Sequence, residues 1–362
     1  MIRMPKYIII CLIFIATSCK KNKLSELEDE SSEWLSGGSQ TTFVTSSGAF
    51  GQGFTGLSGM KSFTHDLGDA EFEKSFNSDP NQANYGLGPI YNSQSCVSCH
   101  AGNGGGKAPA AGGTFTSLLL RISIPGTGEH GNPNPVPNFG TQLQHRGVLG
   151  TIQESDITIS YNEYTYQFYD GESYTLREPI INITNPYTAF DNTAMISPRI
   201  ALPLIGLGLL EAISATEIIN RSDEFDANGD GISGKPNYVY DRLSNSTKLG
   251  RFGWKASQPT LIQQVASAFL EDIGVTNLIF KNETTLGQIQ HNFPLKYDLY
   301  DSTLYAVAYY MKTLQVPVRR NLNDENVVRG KSLFTSAGCV NLHARNISTN
   351  NARCILSVAT VT

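Results

Sequence analysis

A five-residue motif, Cys96-Val97-Ser98-Cys99-His100, restricts what this chain can fold into more than any other stretch. Two thiols at this spacing can reach the two vinyl groups of a single haem while the adjacent histidine binds its iron. A fold built on this motif must enclose a flat, apolar cofactor. The motif therefore predicts covalently bound haem c, with Cys96 and Cys99 as attachment points and His100 as the ligand of the haem iron.

The same two cysteines have two simpler interpretations, a structural disulfide or a pair of free thiols. Neither explains His100. A zinc site would need a second C-x-x-C pair or two histidines at zinc-ligand spacing, and the sequence contains neither.

The first 19 residues have the composition of an export signal. Arg3 and Lys6 precede an apolar run over 7–16, which is too short to span a bilayer. Small residues then lead to Cys19, as in the lipid-attachment box of exported lipoproteins, with simple secretion as the alternative. We expect an exported protein anchored to the membrane through an N-terminal lipid and facing the periplasm or the cell surface.

Length and charge limit the remaining possibilities. The chain has 362 residues, a net charge of −5, 40% hydrophobic residues and six cysteines. This length favours two domains with substantial cores over a small disulfide scaffold. The acidic balance and the lack of a basic cluster give no support to nucleic-acid binding.

The sequence predicts a mainly α fold, a cytochrome-c-like haem domain with a β-strand insertion and an incomplete second domain of the same type. A polar, Gly- and Ser-rich stretch over 20–60 indicates a flexible tether. The haem domain is expected over 61–320, with strands inserted at about 115–185, and a truncated second domain over 321–362. Predicted helices include one capped by Asp66 over 67–76, one begun by Pro259 and ended by Gly274, and one over 303–314.

An apolar, Pro-bounded segment over 197–213 is suited to line a flat cofactor, because its glycines permit close approach. Within it, Arg199 could pair with a haem propionate; a solvated arginine beside an ordinary core helix is the alternative. Met195 is a possible axial ligand, although a lone methionine more often fills a core. His65 is a possible distal ligand, but it fits a surface or capping residue better.

A second motif places oxygen-bearing side chains at alternate positions of a glycine-containing loop: Asp226, Asn228 and Asp230. This spacing is typical of calcium loops, although Asn237 stands where an EF-hand has its bidentate glutamate. A solvated loop of Asx turns is the alternative. The expected role of a calcium ion is to fix the geometry between haem-bearing elements.

The C-terminal stretch repeats part of the first motif. Gly330, Phe334 and Gly338 lead to Cys339, as in the first helix of a cytochrome c domain, and His343 follows at the expected distance. Leu342 occupies the position of the second cysteine, so one thioether partner is missing. A truncated or frameshifted product is one explanation.

Five segments together carry a family resemblance: FTHDLGD, SPRIALPLIGLGLLEAI, DANGDGISGKPNYV, GRFGWKASQPTL and GKSLFTSAGC. With the haem motif they resemble the bacterial di-haem thiol oxidoreductase family, relatives of di-haem cytochrome c peroxidases. The resemblance spans about residues 60 to 343.

The resemblance implies two haem domains and peroxidase-type electron transfer from an unidentified redox partner or small donor. On this interpretation Trp254 could relay electrons between the haems, although a core tryptophan is the default. Glu211 is a candidate distal acid-base group, or else a capping or ion-paired carboxylate. Because Leu342 removes one attachment point, a non-catalytic, lipid-anchored electron-transfer protein and a defective fragment of a di-haem enzyme remain alternatives.

Overall fold

The computed structural model describes residues 33–285 and 297–343. The predicted export signal, Cys19, and the residues after His343 lie outside these described ranges. None of the described helices is long and apolar enough to cross a membrane.

The described part of the chain contains seven α-helices. They are α1 Met60–Glu73, α2 Cys96–Cys99, α3 Leu207–Ala212, α4 Ala215–Ile219, α5 Leu261–Ile273, α6 Asp301–Lys312 and α7 Glu325–Ser336. Short 3₁₀ turns include Ala101–Asn103 and Cys339–Asn341. Helix α5 confirms its predicted end, because Gly274 stops it in the left-handed conformation. It begins at Leu261, capped by Thr260, two residues after the predicted start at Pro259. Helix α1 instead begins before Asp66, which lies inside it.

Twelve strands connect and flank these helices. They are β1 Thr41–Thr42, β2 Ile90–Tyr91, β3 Leu118–Thr127, β4 Pro133–Asn134, β5 Gln142–Leu143, β6 Arg146–Gly147, β7 Asp156–Gln167, β8 Ser173–Thr184, β9 Met195–Ile200, β10 Tyr238–Asp241, β11 Ser246–Leu249 and β12 Val316–Pro317. The prediction of a mainly α fold is wrong. Of the described residues 28% are helical and 23% are in strands, which form several sheets.

The central sheet has the order β4-β3-β5, with β9 also antiparallel to β3. Strands β7 and β8 form a separate two-stranded ribbon in the region of the predicted insertion, joined by the predicted turn at Asp170 and Gly171. The other strands pair two by two, and β1 runs parallel to β12. Sheet structure therefore extends well beyond the predicted insertion.

Two hydrophobic cores hold these elements together. The helical core includes Phe72, Phe269 and Tyr310, and the second core lies under the central sheet around Leu120 and Phe139. Helices α1 and α6 approach most closely at Gly68, where an added Cβ would lie 2.1 Å from the carbonyl oxygen of Ala306.

Part of the predicted tether is packed onto this body. Phe54 is buried, and its N–H donates to the carbonyl of Thr313 at 2.8 Å. Strand β1 pairs with β12, so the described residues before α1 differ from a free linker. Phe43, in contrast, is exposed.

Candidate haem site

Helix α2 presents the two cysteines on a single turn. Ser95 caps the helix, since its Oγ accepts the N–H of Ser98 at 3.3 Å. The N–H of His100 donates to the carbonyl of Cys96 at 3.0 Å, which places the histidine directly after the turn. Both cysteines are free and partly buried. No disulfide joins Cys96 and Cys99 in the structure.

The orientation of His100 is set by one hydrogen bond. Its Nδ1 lies 2.8 Å from the carbonyl oxygen of Leu202. A carbonyl can only accept, so Nδ1 carries the proton and Nε2 keeps a lone pair available for a metal. Burial lowers the pKa of His100, which keeps the ring neutral. Proteins commonly fix the tautomer of a metal-binding histidine in this way, with a backbone carbonyl that accepts from its other ring nitrogen.

The surroundings of the two thiols favour uncharged sulfur. Burial, with a smaller contribution from the nearby Asp272 carboxyl, raises the pKa of Cys96 to about 12 and that of Cys99 to about 11. Burial also raises the pKa of Asp272 to about 6. A thioether carries no charge, whereas a zinc site needs thiolates. The residues present therefore fit covalent haem better than a metal-thiolate centre.

The end of β9 and the residues just after it join the histidine to two other predicted site residues. Ile200 accepts the indole N–H of Trp254 at 3.0 Å, two residues before Leu202 accepts from His100. The guanidinium carbon of Arg199 lies 5.8 Å from the Trp254 ring, and the buried Nε of Arg199 has no hydrogen-bond partner among the described residues. Arg199 and Trp254 are thus brought beside the His100 segment.

Met195 lies at the other end of the same strand. It pairs with Ser123, while Ile200 pairs with Leu118. Five residues of strand separate the two ends by about 16 Å. The Met195 side chain is also half exposed. The described geometry gives no support to Met195 as a ligand of the iron that His100 would hold.

Both carboxylate oxygens of Glu211 are occupied by other groups of the chain. One accepts the N–H of Leu261 at the start of α5, at 2.8 Å, and the other forms an ion pair with Lys312 at 2.5 Å. This is the contact pattern of the capping, ion-paired alternative. Glu211 joins α3 to α5 and α6.

The predicted calcium loop is exposed, and its side-chain oxygens accept backbone N–H groups. Asp226 accepts from Gly231 at 3.1 Å, Asn228 from Asp230 at 2.9 Å, and Asp230 from Ile232 at 2.9 Å. Among the described residues, no three His, Cys, Asp or Glu side chains form a group able to hold a metal ion. Asn228 and Asp230 thus each accept the N–H two residues later, as in Asx turns.

Two histidines near the site were not recognised from the sequence as buried. His65 is 8% exposed, and its Nδ1 lies 2.7 Å from Thr313 Oγ1. His145 is partly buried, bonded through Nδ1 to Asn92 Oδ1 at 2.7 Å, and burial followed by the charge of Arg146 lowers its pKa to about 4. The spacing of His65 and Phe72 on one face of a helix could have indicated that His65 is buried. No local sequence pattern indicates the burial of His145.

The second motif repeats the local geometry of the first. The N–H of His343 donates to the carbonyl of Cys339 at 3.0 Å, the same distance as between His100 and Cys96. The Phe334 ring centroid lies 5.9 Å from that of His343, and Phe72 lies 6.4 Å from His100. Leu342 is exposed where the second thiol would stand.

A family model described as "Di-haem oxidoreductase, putative peroxidase" matches residues 32–357. Searches of curated proteins and of solved structures gave no significant match.

Proposed function

The chain belongs to the di-haem oxidoreductase family, and on that premise we propose that it is an exported c-type haem protein with peroxidase-type activity. The family implies a redox role and haem as cofactor. The observation that carries the proposal is the 2.8 Å hydrogen bond from His100 Nδ1 to Leu202, which leaves Nε2 available next to two uncharged thiols.

Haem bound here would supply the iron at which the O–O bond of a peroxide is cleaved. Cys96 and Cys99 would hold the cofactor as thioethers, and His100 would be a ligand of its iron. Arg199 offers its unpartnered Nε to a propionate carboxylate. Trp254, hydrogen-bonded to the same segment as His100, is the electron relay toward a donor or a second haem.

Peroxide-dependent oxidation of a reduced dye such as ABTS tests this proposal. We expect turnover by the haem-loaded chain and none by the Cys96→Ser/Cys99→Ser double variant expressed in the same cytochrome-maturing host. Absence of turnover in the fully loaded chain would contradict peroxidase activity.

A non-catalytic electron-transfer protein is the second candidate, and Leu342 favours it because it removes one attachment point of a second haem. The two candidates differ in the spin state of the iron. A peroxidase needs an open iron position and a high-spin ferric spectrum that changes rapidly with peroxide. A low-spin spectrum insensitive to peroxide would support the second candidate.

Lipid anchoring through Cys19 and calcium binding at the 226–230 loop rest on the sequence. Partition of the chain into detergent tests the anchor. The Cys19→Ser variant should no longer partition.

Calorimetric titration with Ca²⁺ tests the loop, with Asp230→Ala expected to abolish binding. Asp191→Ala is the matched control, since Asp191 accepts the N–H of Thr193 in an ordinary Asx turn.

A further inference from the structure

Four side-chain rings form a row that begins at His100. The ring centroids of His100 and Phe72 are 6.4 Å apart, those of Phe72 and Tyr310 are 5.7 Å apart, and those of Tyr310 and His65 are 5.0 Å apart. These separations lie within the range of direct aromatic contact. Electron tunnelling weakens steeply with distance, so closely spaced rings provide an efficient route through an otherwise aliphatic core.

Tyr310 is the member of this row best suited to give up an electron. Its side chain is 1% exposed, so a radical formed there is shielded from water. A phenol loses its proton when it is oxidised and therefore needs a nearby acceptor. The Asp69 carboxylate, one helical turn before Phe72 on α1, lies close enough to the Tyr310 hydroxyl to contribute, after burial, to raising its pKa. Asp69 is only partly buried, which gives the proton a way to solvent.

A second connection joins Tyr310 to the haem-binding turn. Asn103 Nδ2 donates to the Tyr310 hydroxyl oxygen at 2.8 Å, and the Asn103 N–H donates to the carbonyl of His100 at 2.9 Å. The phenol is therefore held in place from the cofactor side by Asn103, with Asp69 close to it on the solvent side. This arrangement is more specific than packing in a core requires.

We propose that Tyr310 is an electron-relay residue, oxidised through Phe72 and His100 when peroxide is reduced, with Asp69 accepting its proton. The inference rests on the proposed peroxidase function. Reduction of one peroxide to two waters consumes two electrons and two protons. One electron is drawn from the Tyr310 phenol, leaving a neutral phenoxyl radical, and the bound cofactor would supply the other, while solvent supplies the two protons. The phenol proton passes to Asp69. A reduced donor later returns two electrons, one to the cofactor and one to the phenoxyl oxygen, which takes its proton back from Asp69.

The experiment uses the haem-loaded chain, mixed with hydrogen peroxide, frozen rapidly and examined by electron paramagnetic resonance. We expect a tyrosyl radical whose hyperfine structure narrows when the protein carries ring-deuterated tyrosine. Tyr310→Phe should lose this signal by at least about tenfold, and Asp69→Asn should slow its appearance by a similar factor, because the proton acceptor is gone.

Tyr309→Phe is the matched control. Tyr309 is the adjacent residue on α6 and is 5% exposed, but its hydroxyl has no hydrogen-bond partner among the described residues. This variant should keep the full radical signal. A purely structural role for Tyr310 would leave the signal unchanged in Asp69→Asn.

Two outcomes would overturn the inference, and they are distinguishable. If peroxide changes the haem absorption but the radical persists in Tyr310→Phe, the relay assignment is wrong and the proposed function stands. If peroxide leaves the haem absorption of the loaded wild-type chain unchanged, the proposed function fails and the relay fails with it.

Discussion

His100 shows how much a single contact decides at the residue scale. The sequence predicts that it is an iron ligand, but its tautomer depends on Leu202, about a hundred positions away. The contacts of Glu211 are also distant in the sequence, because Leu261 and Lys312 come from other helices. Local spacing can therefore predict a C-x-x-C-H turn, whereas the partners of an isolated Glu or Arg are set by tertiary packing.

His145 leads to a prediction about pH. Its pKa is lowered to about 4 in the folded chain, so the unfolded chain binds a proton more readily. The free energy of unfolding therefore falls as the pH drops from about 6.5, the pKa of histidine in the unfolded chain, toward 4. Between pH 7.5 and pH 5 the loss is about 2 kcal/mol. Urea unfolding of the wild type and His145→Gln at both pH values measures this. The free energy of unfolding should fall less in the variant than in the wild type. An equal fall in both proteins would contradict the prediction.

At the scale of elements, helix ends were predicted where a side chain or glycine marks them. Gly274 ends α5 as expected, whereas Thr260, the residue after the predicted start at Pro259, caps its beginning. Helix α1 begins after Gly59, which makes no side-chain cap, and Asp66 in its interior suggested a later start. What fixes α1 is its contact with α6, and that contact cannot be read from either helix alone.

Gly68 tests this contact. An added Cβ would lie 2.1 Å from the Ala306 carbonyl oxygen and 2.6 Å from Tyr310 Cβ, so Gly68→Ala should lower the free energy of unfolding by about 3 kcal/mol. Gly330→Ala in α7 is the control, since nothing lies within 4 Å of its added Cβ. Chemical denaturation should show the control unchanged or stabilised by at most about 1 kcal/mol. Equal effects in both variants would mean that the helices do not pack as described.

The C-terminal motif yields a gain-of-function prediction. Cys339 and His343 already repeat the backbone geometry of the first motif, and only Leu342 breaks the pattern. Leu342→Cys, produced in a cytochrome-maturing host, should raise covalently bound haem from one to two per chain, whereas Leu342→Ser should not. Intact-protein mass spectrometry distinguishes the two. No gain in Leu342→Cys would show that more than the missing thiol prevents attachment.

For the whole molecule, the family was recognisable from six motifs, but the fold class was not. The predicted strands between residues 115 and 185 are present, and helices were expected elsewhere. Short pairs such as β1 with β12 join residues about 275 positions apart in the chain, and two-residue strands carry no periodic signal. The balance of helix and sheet therefore depends on contacts that a local pattern cannot report.

The number of covalent haems per chain tests the central claim most directly. Protein purified from a host competent in cytochrome maturation is extracted with acidified organic solvent and then assayed as the pyridine haemochrome, with the protein quantified in parallel. The account predicts one haem retained by each wild-type chain and none by Cys96→Ser/Cys99→Ser. A colourless chain, or pigment released into the solvent, would contradict it.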